Sequence, residues 1–325
     1  MNLTDAFVPV AFTTRSGFAE SVHFGAVVGL NRDGSIAFAA GDANALIYPR
    51  SANKPMQAVA MLNAGLSLPP DQLALVCASH DGTPTHLHTA RCILDGAGLD
   101  ESTLMNTPDL PLDTSAAEAV LRSGGSRTPL QMNCSGKHSG MLATCVINGW
   151  PIDSYLDPLH PLQKMITASL PSLIDHRVEH IGVDGCGAPA HVMPLLGLAH
   201  AFRRVASGGA GDAGQRVYEA MTANPEMVGG GRRDVTRFMQ HVPGLLAKDG
   251  ADGVFAAALP DGRAVAFKIA DGANRARPPV MVAALQALDI DVSVVRPTVR
   301  EIIRGHGQDV GEVFAIAESL GPWHG

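Results

Sequence analysis

The feature that most restricts the fold is where the strand signals fall. Apolar runs at 22–30 and 35–40 flank the turn Asn31-Arg32-Asp33-Gly34, and Asp-Gly between such runs marks a hairpin. Far downstream the pattern returns, with runs at 254–259 and 263–269 around Pro260-Asp261-Gly262, and 310–317 reads as one more strand. Between the hairpins the apolar spacing is helical, at 55–64 (ending at Gly65), 88–94, 114–121, 141–146, 190–205 and 279–288. Gly208-Gly209-Ala210-Gly211 reads as a surface loop between two helical segments. Hairpins at both ends of a helix-rich middle predict an α+β fold in one domain over 1–325. Its antiparallel sheet is built from the N- and C-terminal hairpins and packed with helices.

A chain of 325 residues removes roughly three-quarters of its open-chain surface on folding, so the core needs neither disulfide nor metal. Charged residues make up only 17 %, against about 25 % in an average soluble domain, and mean hydropathy is +0.12. So few charges predict that part of the surface is covered by a second copy of the chain. The formal charge of −7 and pI near 6.0 weigh against nucleic acid or an acidic membrane as partner. The opening MNLTDAFVPVAF has no basic n-region, and no window offers the ~20 apolar residues of a membrane span. Five cysteines, an odd number without a secretion signal, read as reduced thiols and predict a cytoplasmic protein.

Of the 24 basic residues only five are lysines. Arginine serves wherever a positive charge suffices, whereas lysine alone can give up its proton near neutrality, so each lysine is worth weighing. Lys54, Lys137 and Lys268 lie beside Ser, Cys or Gly in turn-like motifs; Lys164 and Lys248 do not. In Arg50-Ser51-Ala52-Asn53-Lys54-Pro55, Ser51 suits a helix N-cap and Pro55 the first turn. Spacing of three sets Ser51 beside Lys54, where the helix dipole and Arg50 both disfavour an ammonium. A neutral Lys54 would take the Ser51 proton and make the hydroxyl an acyl-transfer nucleophile; that needs a pKa drop of about three units, most of it from burial. S-x-x-K is common, and alone it describes an ordinary Ser-capped helix with an exposed lysine equally well.

Two later segments add to it. Val76-Cys77-Ala78-Ser79-His80-Asp81-Gly82 is an apolar lead-in to a polar turn, and Lys268 stands on the 263–269 strand before Gly272. The order S-x-x-K, then a Ser turn, then a strand lysine before Gly resembles the penicillin-binding, serine β-lactamase and glutaminase architecture. Ser79-His80-Asp81 and Lys268-Ile269-Ala270-Asp271-Gly272 depart from its S-D-N and K-T-G. The rhizobial-type (class 3) L-asparaginase II family is more closely similar. It is matched by Arg50 to Pro55, Ala78-Ser79-His80, Asn133-Cys134-Ser135-Gly136-Lys137-His138-Ser139-Gly140, Asp184-Gly185-Cys186-Gly187, and Lys268 to Gly272. These motifs run from 50 to 272, and it is their number and order that make them specific.

The resemblance implies a homodimer that hydrolyses the side-chain amide of L-asparagine to L-aspartate and ammonia. Two Ser–Lys pairs, Ser51–Lys54 and Ser79–Lys268, would converge on one site, with Ser51 as the preferred nucleophile and Ser79 as the alternative. It also implies Cys134, Lys137 and Cys186 as a Zn²⁺ set. Thiolates suit that ion, although lysine is an unusual ligand and two buried thiols are the ordinary alternative. Cys77, Cys92 and Cys145 read as core. Arg50, His138 and Asp184 are the implied substrate-binding residues: an Asp can hold an α-ammonium and an Arg a carboxylate. His138 reads equally as a structural imidazole. Gly229-Gly230-Gly231-Arg232-Arg233 could border the site but reads better as a solvated turn, and Gly136-Lys137 lacks the upstream glycine spacing of a P-loop. Competing readings are the same fold acting on glutamine or a β-lactam, and a non-catalytic amino-acid sensor. A zinc-water deaminase is opposed by the missing H-x-E and P-C-x-x-C.

Overall fold

The computed structural model describes residues 3–320. The N-terminal strands are β1 (Val8–Arg15), β2 (Phe18–Leu30), β3 (Ile36–Ala40) and β4 (Leu46–Ile47). Mid-chain come β5 (His180–Val183) and β6 (Pro189–Pro194); the C-terminal third adds β7 (Leu246–Asp249), β8 (Val254–Ala258), β9 (Ala264–Ile269), β10 (Ile302–Gly305) and β11 (Gln308–Ala315). The main sheet runs β10-β11-β1-β2-β9-β8-β7, with β3 also paired to β2, and every pairing is antiparallel. The predicted α+β class, with one sheet drawn from both ends of the chain, is what the backbone forms.

β2 joins the two ends. Its early part pairs with β1, while residues from Gly25 onward pair with β9 and those from Val27 also with β3. β8 and most of β9 are buried on both faces, because helices Leu195–Ala206 and Arg277–Ala287 both pack against this part of the sheet. Such strands are nearly continuous apolar runs rather than alternating ones.

Hairpins β2–β3 and β8–β9 fall where their turns predict. The 190–205 helix is corrected: residues 189–194 form β6, and the helix occupies Leu195–Ala206. Val192 and Met193 suit either state in an apolar run, and pairing with β5 and β4 decides it. Among the described residues no helix is long and apolar enough to cross a membrane.

Two helices carry the site. Lys54–Asn63 is buried from Lys54 to Leu62, and Ser135–Asn148 from Ser135 to Cys145. Glycines let the second pack so closely: a Cβ at Gly136 would lie 2.4 Å from the Leu75 carbonyl oxygen, and one at Gly140 2.7 Å from Val76. The Cys134-Ser135-Gly136-Lys137 motif is therefore partly a packing motif.

Candidate active site

Ser51 does not cap the helix. Pro49 and Arg50 open a short 3₁₀ turn, Arg50–Asn53, with Arg50 in the left-handed region (φ 52°), and the α-helix begins at Lys54 with Pro55 in its first turn. No side-chain cap bond forms at Pro49 or Asn53. The turn lies against the end of β7, where a Cβ at Gly250 would come 2.4 Å from the Pro49 carbonyl oxygen. Ser51 is half-buried, and with Arg50, Lys54, Lys137, Asp184 and His191 it lines a narrow cleft. With the side chains as they stand, about 10 Å³ there is free, the space of a single water.

Lys54 is buried, and its ammonium is used in full. It donates to the Ala78 carbonyl, to Ser79 Oγ at 3.3 Å and to Cys134 Sγ at 3.2 Å. The Ser79 turn is held in place from both sides, by Ser79 N–H to Val228 O and His80 N–H to Asn133 O, each at 3.1 Å.

The lysine that meets Ser79 from the sheet is Lys248, not Lys268. Lys248 Nζ lies 3.0 Å from Ser79 Oγ, 2.7 Å from Asp249 O and 2.6 Å from Asp249 Oδ1. Lys268 Nζ instead donates to Asp252 O (2.6 Å) and Ile269 O (2.5 Å). The cause is strand order: β8 separates β9 from β7, and it is β7 that carries its lysine to Ser79. Burial, with the charges of Lys54 and Arg233, lowers the Lys248 pKa to about 8 despite the pull of Asp249. The signal missed in the sequence was an isolated lysine inside Leu245-Leu246-Ala247-Lys248, too short a run to stand out as a strand.

Asp249 anchors this group. It is buried and ion-paired to Lys248, Arg233 and Arg277, and these cations outweigh burial and hold its carboxyl well below the usual range. Arg233 also donates to the Ser79 carbonyl at 2.5 Å, so the glycine-rich turn is corrected from a solvated loop to a brace of the site. Gly230 is required there: at φ 106° its Cβ would sit 2.0 Å from Asp81 Oδ2.

The thiols lie next to the cleft. Cys134 ends the loop before the Ser135–Asn148 helix, and Cys186 sits in the turn between β5 and β6. Lys137 Nζ is 3.1 Å from Cys186 Sγ. The hydrogen bond from Cys134 and the charge of Lys137 pull the Cys186 thiol well below its ordinary range despite burial; the same thiol–thiol bond, with burial, pushes Cys134 up. His138 lies against Cys186, with Nδ1 2.9 Å from the Tyr155 hydroxyl and a buried Nε2 that has no hydrogen-bond partner. Burial lowers its pKa to about 4. Two soft sulfurs, an amine and an unpartnered imidazole nitrogen in one buried spot suit Zn²⁺. Among the described residues no cluster of three or more His, Cys, Asp or Glu is arranged to hold a metal ion. Cys77 and Cys145 are core thiols as expected, whereas Cys92 is half-buried, 3.5 Å from His88.

Across the cleft, Asp184 Oδ1 accepts from Arg50 Nε at 2.9 Å and from Gly185 N–H at 2.7 Å. Arg50 also pairs with Asp252. A guanidinium and a carboxylate side by side are the two groups that hold a free α-amino acid.

The model of the L-asparaginase II family matches residues 11–315, and the chain belongs to that family. Among solved structures it is similar to Mglu in its native form, at 16 % identity over 82 % of this chain and 63 % of that one, TM-score 0.37. Mglu in its native form in 4.3 M NaCl gives 14 %, 87 %, 66 % and 0.38, and its L-glutamate binding form 15 %, 82 %, 59 % and 0.37. The chain thus spans less than two thirds of those chains. The comparison with curated proteins gives no match.

Proposed function

We propose that this chain is an L-asparaginase, releasing L-aspartate and ammonia from L-asparagine through a serine nucleophile. The observation that carries it is one hydroxyl, Ser79 Oγ, between two buried amines, beside a cleft lined by a second serine and the Arg50–Asp184 pair. Two ammonium groups on one buried hydroxyl repel, so one proton is lost, and Lys248 is the amine with the lowered pKa. Ser79 then donates to neutral Lys248 and accepts from Lys54, and as substrate binds a proton passes from Lys54 through Ser79 to Lys248, freeing Lys54 to act as base. Substrate enters as Arg50 and Asp184 turn from each other onto its α-carboxylate and α-ammonium.

Ser51 Oγ attacks the carboxamide carbon as Lys54 takes its proton. The C–N bond breaks, the amine leaves as ammonia with a proton returned along Lys54–Ser79–Lys248, and water hydrolyses the aspartyl ester. Ser51, rather than Ser79, is the nucleophile because it lines the cleft with the groups that hold the substrate. Lys248 replaces Lys268 in the relay, and Lys268 steadies the Asp252 turn that pairs with Arg50. The test is release of ammonia and amino acid from L-asparagine, L-glutamine and a β-lactam compared at equal concentration. Asparagine is expected to be fastest; binding of asparagine without ammonia would make the protein a sensor.

Zinc on Cys134, Lys137 and Cys186, with His138 beside it, would supply a fixed positive charge at the edge of the cleft. Elemental analysis is expected to find about one Zn²⁺ per chain, and Cys186→Ser to lose it; unchanged loading in that variant removes the site. The chain would work as one unit, since β2 and β9 from its two ends are bonded neighbours. A homodimer is supported by a row of Val22, Phe12 and Phe314 across three strands, with Val22 and Phe314 exposed. Sedimentation equilibrium should give twice the chain mass, and a monomer mass would refute it. A small-molecule amide as substrate, no nucleic acid or membrane partner and a cytoplasmic location complete the reading.

A further inference from the structure

A second cavity, of about 440 Å³, shares no lining residue with the cleft. Its walls include Arg232, Arg233, Arg277, Asp81 and Asp113, and two of these, Asp81 and Arg232, have no direct partner among the described residues. Among the described residues the Asp81 carboxylate and the Arg232 guanidinium make no hydrogen bond or ion pair, although Asp81 is buried at 5 % exposure. Arg277 is also buried; Nη1 and Nη2 serve Asp249 and Asp234, but Nε has no partner. Asp113 is already engaged, accepting from Ala116 N–H at 2.8 Å as the cap of helix Thr114–Arg122.

From this we infer that the cavity is a second binding site for a free α-amino acid, its ammonium on Asp81 and its carboxylate on Arg232. A buried carboxylate and a free guanidinium together favour a zwitterion over a simple anion, which would leave Asp81 uncompensated and repel it. The state of Asp81 agrees: burial and its neighbours Asp113 and Asp249 push its pKa up to about 6 against the pull of Arg233 and Arg232, so an arriving cation is favoured.

The site is joined to Ser79. Arg233, in the cavity wall, donates to the Ser79 carbonyl, and both Arg233 and Arg277 pair with Asp249, the partner of Lys248. A ligand carboxylate on Arg232 lies beside Arg233 in the same wall and draws on its charge, so occupancy acts through Asp249 on the Lys248–Ser79 contact. This coupling rests on the catalytic reading above; the binding does not.

L-Aspartate is titrated calorimetrically into the full chain carrying Arg50→Ala, which disables the cleft, with Asp184→Asn as the substitute should that variant not fold. One binding event should remain. Adding Asp81→Asn or Arg232→Ala should weaken it by about tenfold or more, as loss of a charge-assisted bond does. Succinate, which lacks the ammonium, should bind about tenfold more weakly than L-aspartate. Absence of residual binding, unchanged affinity in both double variants, or equal binding of succinate each overturns the assignment. Two binding events persisting in Arg50→Ala would instead count against the role given to Arg50, leaving the second site to be judged by Asp81 and Arg232.

Discussion

Ser51→Ala should lower kcat for L-asparagine by a factor on the order of 10⁴ or more, while affinity for L-aspartate stays within about threefold. The nucleophile is lost, but Arg50 and Asp184, which hold the amino-acid end, are untouched. The hydroxyl makes no bond to Lys54 that the fold depends on, since all three Lys54 donors go elsewhere. Hydroxylamine gives a second readout: the wild type should form aspartyl hydroxamate from the trapped ester and Ser51→Ala none. Near-normal turnover in Ser51→Ala, with Ser79→Ala inactive, would transfer the nucleophile to Ser79 and make Lys248 its base.

Lys248→Met should cost about 10²–10⁴ in kcat/KM, the usual range for a positioned proton-transfer group, whereas Lys268→Met should cost much less. The pair of variants separates two lysines that both lie on strands of one sheet. Lys248 must be neutral for the relay to run, so wild-type kcat/KM should rise with pH through a limb near 8, and Lys248→Met should lose that limb. The sign follows from the lowered pKa: below it the amine is cationic and cannot accept from Ser79. Lys268→Met should keep the limb and act chiefly on KM, through the Asp252 turn and Arg50. The opposite ranking of the two variants would restore Lys268 to the relay. Lys248→Met also leaves Asp249 one cation short, so a thermal melt must accompany the kinetics.

Much of this site is legible in the sequence because its motifs are local. Arg50 to Pro55 folds as a turn into a helix, Cys134-Ser135-Gly136-Lys137 as a loop into a helix, and Asp184 to Gly187 as a hairpin turn. In each, spacing along the chain is close to spacing in space. The pairing of Ser79 was not legible, because it depends on which strand lies at the sheet edge nearest that turn. Lys268 stands in a well-marked hairpin and Lys248 in a four-residue strand, so pattern favours the wrong one. Arg233 was hidden for a like reason: a glycine-rich run reads as solvent-facing until its contact with Asp81, Ser79 and Asp249 is seen.

From the sequence alone follow the α+β class, the two-ended sheet and the residues that bring amine, hydroxyl and thiol chemistry, since periodicity and turn residues act within a few positions. Tertiary structure alone decided which lysine touches which serine, which carboxylate balances them and how far each amine departs from its ordinary proton affinity. Those outcomes depend on burial and on charges brought together from distant parts of the chain, and neither is a function of spacing.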